Sequence, residues 1–110
     1  MKMPESLKVG GMLIKIFYPT EPITYKNAKG EDEQFDGKVV MSKGEMHITN
    51  RNAKEPDILY TEDYIGQVFV HEILHAVDYV YNSDRLSEEE IERLSQGLYQ
   101  VLKDNKIKVE

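Results

Sequence analysis

The sequence predicts an α+β fold, a small and mostly antiparallel sheet followed by two helices. Three observations carry that prediction. Residues 7–18 and 34–50 hold alternating or extended apolar stretches punctuated by Gly and Pro, residues 64–81 switch to helical periodicity, and Ser87 with Glu90 forms a capping box that opens a second helix. Strands first and helices last is the order of an α+β domain. A chain of 110 residues has material for one core, so a single domain over residues 1–110 is expected.

Each element has its own local reason. In residues 7–18, Met12, Ile14, Ile16 and Tyr18 alternate with Leu13, Lys15 and Phe17, which reads as one strand ended by Pro19 and Pro22. Residues 27–33 are polar and turn-forming, and residues 34–42 and 45–50 are two extended pieces around Lys43-Gly44, a predicted β-hairpin. Residues 51–57 form a polar loop ending in Pro56. Thr61 is the expected N-cap of the first helix, with Glu62 and Asp63 placed where the helix dipole favours acidic side chains. Residues 82–84 turn the chain, and the second helix runs back antiparallel from Ser87 to about Lys103.

Composition narrows the function classes. A net charge of -6 argues against a nucleic-acid surface, which needs a clustered positive field. The absence of Cys excludes disulfides and thiolate-ligated metals, leaving His and carboxylates as metal donors. Residues 1–19 contain Gly10, Gly11 and Lys15 and lack the unbroken apolar run of a signal peptide. No stretch approaches a membrane span, so a cytoplasmic protein without a membrane partner is expected.

The chemistry concentrates in His71-Glu72-Ile73-Leu74-His75, a His-Glu-x-x-His pattern. On a helix, residues four apart share a face, so both imidazoles can bind one tetrahedral zinc ion while Glu72 lies beside it as a general base. Around that helix Ile65, Phe69, Ile73, Leu74, Val77 and Val80 form an apolar face. His71, His75 and Asp78 fall opposite, with Tyr64 and Gln67 extending the stripe. A solvated polar face is the competing explanation of that stripe.

Two imidazoles leave a catalytic zinc site one protein ligand short. No His follows His75, so a carboxylate of the second helix is the natural third ligand. Glu88, Glu89, Glu90 and Glu92 are the candidates. Helix rise places Glu92 nearest the level of His75, Glu88 is the rival, and Glu90 belongs to the capping box. Asp78 is expected to orient an imidazole or to lie exposed, with direct metal ligation as a third option. Tyr79 and Tyr81 could offer a phenol to a developing oxyanion or simply pack at the core boundary. His47 reads as a surface residue, and the strand 45–50 as an edge that extended substrate could join. Leu94, Leu98, Val101 and Leu102 read as core, while small Ser95 and Gly97 would let the two helices approach closely.

These residues resemble the gluzincin branch of the zincin metallopeptidases: His71-Glu72-x-x-His75, then Glu92-Arg-Leu-Ser95 on a second helix. Val70 to Asp78, Leu86-Ser-Glu-Glu and Gly97 to Asn105 look like short phage and prophage-type zincin-like proteins. The resemblance covers the C-terminal half and touches the strands only loosely. It implies zinc ligands at His71, His75 and a downstream Glu, with Glu72 as general base, on a minimal zincin-like fold. The gluzincin pattern often carries Asp four residues beyond the ligand Glu, where counting from Glu92 gives Gln96.

The expected function is therefore zinc-dependent hydrolysis of peptide bonds in an intracellular or phage-related protein. A zincin-fold module that docks a partner protein without cleaving it is the alternative, and a structural phage component with a fortuitous motif is a third reading.

Overall fold

The computed structural model describes residues 3–51, 54–55 and 57–107, and Pro56, expected to end the polar loop, lies outside them. Strands β1 (Ser6–Val9), β2 (Met12–Phe17), β3 (Ile23–Lys26), β4 (Asp32–Phe35), β5 (Gly37–Val40) and β6 (Glu45–Ile48) precede helices α1 (Glu62–Tyr81) and α2 (Glu88–Asn105). The α+β class is as the sequence predicts. The main sheet has the order β1-β2-β6-β5, with β2 and β6 parallel and the other neighbours antiparallel, while β3 and β4 form a separate hairpin.

Two details of the strand region differ from the sequence reading. Residues 7–18 are a hairpin, not one strand, because Gly10 takes φ 60° and turns β1 back on β2. The signal, a Gly-Gly pair between apolar segments, is plainly a turn motif. The second difference is the unforeseen β3–β4 hairpin, whose turn is built on Asn27: its Oδ1 accepts from the N–H groups of Lys29 and Glu31. The predicted hairpin around Lys43-Gly44 is present as β5–β6, closed by a 3-10 turn at Met41–Lys43 and by Gly44 at φ 63°.

The core lies between the inner face of the sheet and one side of α1, where Val9, Ile14, Ile16, Met46 and Ile48 meet Phe69 and Ala76. Alternation along β2 delivers this directly, with Ile14 and Ile16 buried and Leu13 and Phe17 turned outward. Thr61 caps α1 by accepting from the Tyr64 N–H, and the Ser87–Glu90 capping box opens α2, as predicted.

α2 packs along α1, and each end of the pair is fastened by a carboxylate. At the open end Asp63 accepts from Tyr99 Oη (3.0 Å) and pairs with Lys103 Nζ (2.7 Å). At the turn, buried Asp78 accepts from Asn82 Nδ2 (2.8 Å) and from the Leu86 N–H, and its carbonyl accepts from the Asp84 N–H. Asp78 therefore neither orients an imidazole nor lies exposed, and it does not join the donor group of His71, Glu72 and His75. It folds the connecting loop back against the last turn of α1. Among the described residues, no helix is long and apolar enough to cross a membrane.

The apolar residues of α2 depart furthest from expectation. Only Ile91, Ser95 and Tyr99 are buried, whereas Leu94, Leu98, Val101 and Leu102 stay exposed. Ser95 does sit at the close approach of the helices, with Tyr99 against Gly66, but Gly97 faces open space. With α1 as its main support, α2 buries one narrow line and leaves the rest of its apolar face to solvent.

Candidate metal centre

His71, Glu72 and His75 lie in the middle of α1, where the helix passes between β5 and α2. Their donor atoms all fall within 4.8 Å of one another. The two Nε2 atoms are 3.1 Å apart. Two nitrogens bound to one tetrahedral zinc at 2.0–2.1 Å would be separated by about 3.3 Å, so the pair is already spaced for a shared ion.

The second helix contributes two carboxylates, and they occupy different places. Glu88 Oε1 is 2.7 Å from His71 Nε2, and its Oε2 is 3.0 Å from His75 Nε2. Glu92 Oε2 instead lies 2.9 Å from Nδ1 on the far side of the His71 ring. Glu88 thus faces both Nε2 atoms, one carboxylate oxygen to each, on the side of the imidazoles where a shared ion would sit, while Glu92 holds the outer nitrogen of a ligand candidate. The preference for Glu92 from helix rise assumes that α2 starts level with the end of α1. Because Asp78 folds the loop back, α2 starts level with His75, and Glu88 arrives there first.

Glu72 points between α1 and the sheet. Its side chain is 7 % exposed, and Oε1 accepts from the Val39 N–H at 3.1 Å while Oε2 remains 3.9 Å from His71 Nε2. Burial pushes its pKa up to about 7, with His71 acting in the opposite direction. Burial also lowers the His75 pKa, which favours the neutral imidazole that a metal requires. A close fit surrounds Glu72: a Cβ on Gly37 would come 2.5 Å from Val68 Cγ1 and 3.0 Å from Glu72 Cγ.

These groups line an open cleft of ≈ 710 Å³ between β5 and the two helices. β5 is the edge strand of the sheet, whereas β6 lies inside it between β2 and β5, so the edge expected at 45–50 belongs one strand earlier. Tyr79 borders the cleft, Tyr81 is an exposed residue outside its lining, and His47 stacks on Phe17 at 4.9 Å, apart from the centre. One feature has no signal in the sequence. Asp36 accepts from Tyr60 Oη at 2.6 Å and from Tyr64 Oη, closing one end of the cleft, and burial followed by Asp36 raises the Tyr64 pKa. Nothing in the spacing of residues 36, 60 and 64 marks a contact made across the fold.

No protein-family model, curated protein or solved structure matches this chain. Its chemistry therefore has to be read from the centre itself. Two imidazoles and a carboxylate converge on one point, a second carboxylate backs one imidazole, and a buried acid stands beside them.

Proposed function

We propose that this protein is a zinc-dependent endopeptidase, with His71, His75 and Glu88 as ligands and Glu72 as general base. The observation that carries the proposal is the convergence of Glu88 on both Nε2 atoms. The assignment also fits the gluzincin resemblance better than one through Glu92. Counting four residues from Glu88 reaches Glu92, an acidic residue that holds the ligand candidate His71. Glu92 is then a positioning residue instead of the third ligand.

Zinc in this centre would supply a Lewis acid and lower the pKa of a bound water toward about 7. The chain's own residues do the rest. Glu72, anchored through Oε1 to Val39, presents Oε2 to the cleft, where it takes a proton from the attacking water and gives it to the leaving amine. Extended substrate has the β5 edge beside it, so its backbone can pair with the strand while the scissile carbonyl reaches Glu72. The open cleft favours recognition of extended backbone over one particular side chain.

The test is the zinc content of the purified protein together with cleavage of unstructured polypeptides. One zinc per chain is expected, retained in Glu72→Gln with cleavage abolished, and lost in Glu88→Ala. Zinc-free protein that takes up no added metal would overturn the proposal. Zinc binding without any cleavage would leave the docking-module reading in its place.

A further inference from the structure

The contacts between β5 and α1 advance together along the cleft. Asp36, just before the strand, meets Tyr64, Gly37 lies against Val68 and Glu72, and Val39 meets Glu72. Strand and helix therefore run side by side, with Asp36 at the end of the cleft nearest the start of α1. The extended chain from Asp36 to Val39 covers about 10 Å, as do the helical residues from Tyr64 to His71. A substrate strand along β5 advances at the same rate, so a residue two or three positions from its scissile bond comes level with Asp36.

Asp36 is held there with its charge uncancelled. Its carbonyl accepts from the Thr49 N–H, and its carboxylate oxygens accept from two different phenols, Oδ1 from Tyr60 Oη at 2.6 Å and Oδ2 from Tyr64 Oη. The two rings pack on each other with centroids 4.4 Å apart, which fixes both donors. Phenols orient a carboxylate without neutralising it, and burial followed by Asp36 raises the Tyr64 pKa, so that phenol keeps its proton. Each carboxylate oxygen can accept twice, and each accepts once here among the described residues. Lys38, the one Lys or Arg among the described residues lining the cleft, keeps its ammonium 4.5 Å from the centre of the Phe35 ring and makes no ion pair with Asp36. Glu88 and Glu92 are committed to the imidazoles. We propose that Asp36 is a specificity-determining residue that receives a Lys or Arg side chain of the substrate, two or three residues to one side of the scissile bond. This rests on the peptidase reading above. An open cleft selects little by shape, so a fixed carboxylate with unused acceptor positions supplies selection by charge, which a guanidinium or ammonium group satisfies.

The test is digestion of a peptide library, cut after Glu from a denatured proteome, by the protein with zinc added, the cleaved bonds being aligned by mass spectrometry. Lys and Arg should be enriched two or three residues from the bond, on one side only. Replacing that Arg in a cleaved peptide by citrulline, which keeps the shape and loses the charge, should lower kcat/KM roughly tenfold, the size of one hydrogen bond to a charged group. Asp36→Asn should bring the Arg-to-citrulline ratio close to one, whereas a purely structural loss would slow both peptides alike and leave the ratio unchanged. Binding gives a readout that needs no turnover. A short acetylated and amidated peptide of Ala, Ser and Gln with one central Arg should bind Glu72→Gln more tightly than its citrulline twin, and Asp36→Asn added to Glu72→Gln should remove the difference. Cleavage without the enrichment, or with citrulline accepted as well as Arg, would overturn the proposal and leave the peptidase reading standing. Enrichment on both sides of the bond would overturn it too, since Asp84 at the other end of the cleft would then act equally. If no peptide is cleaved the peptidase reading fails, and equal binding of the Arg and citrulline peptides would overturn the role of Asp36 by itself.

Discussion

Glu88 and Glu92 leave the same face of α2 one turn apart, yet they meet different nitrogens of the centre. Their removal should therefore have different effects. Glu88→Ala should abolish stoichiometric zinc binding, whereas Glu92→Gln should weaken it by about 10–100-fold, as expected for loss of a group that orients a ligand; a zinc-chelator competition titration separates the two. Glu72 gives a pH prediction for the metal-free protein. Its folded pKa about 7 lies above the ordinary 4.5, so between those values the folded state holds more protons than the unfolded state. Stability should fall as pH rises through that window, by up to about 3 kcal/mol, and level off above it. Thermal unfolding of metal-free Glu72→Gln should lack this decline, so the variant should melt higher than wild type at about pH 8. At this scale the sequence is informative wherever one helix fixes the geometry. Helical spacing alone brings His71 and His75 together with Glu72 beside them. Choosing between Glu88 and Glu92 requires the path of the loop between helices, and the Asp36 contacts with Tyr60 and Tyr64 require the whole fold.

Elements position these residues through a few tight contacts. Gly37 on β5 lies against Val68 and Glu72, so Gly37→Ala must move one of them. A loss of about 1–3 kcal/mol is expected from this overpacking, with zinc content retained because the added Cβ meets Val68 and Glu72 and neither imidazole. Asp78→Ala strips acceptors from the Leu86 N–H and Asn82, and should cost about 1–3 kcal/mol and weaken zinc binding although Asp78 touches no ligand. Urea unfolding with and without zinc measures both effects. The caps of both helices and the β5–β6 hairpin are readable because their signals are local. β1 and β2 read as one strand when alternation outweighs Gly10-Gly11, and the strand order, with its parallel β2–β6 pairing, depends on contacts distant in sequence. The leucines of α2 read as core because amphipathicity marks an apolar face without showing how much of it a neighbour can cover.

For the whole molecule, zinc held as proposed, between two helices, would make metal binding part of folding stability. Zinc at about 100 times its dissociation constant should stabilise the chain by about 2.7 kcal/mol, which for a domain of this size raises the melting temperature by on the order of 10 °C. Calorimetry with zinc, and with Glu88→Ala as control, checks this. The α+β class is legible because order along the chain determines it, whereas the exposed stripe of α2 emerges only when every layer is in place. The fold-back held by Asp78 also determines how kindred chains can be recognised. Twelve residues separate His75 from Glu88, and three separate Glu88 from Glu92. A chain that gained or lost a residue in the first interval could keep both helices and every acidic and imidazole side chain, yet bring the wrong face of α2 to the histidines. The interval, together with an Asp three positions after the second His, is thus as informative a search pattern as His-Glu-x-x-His itself.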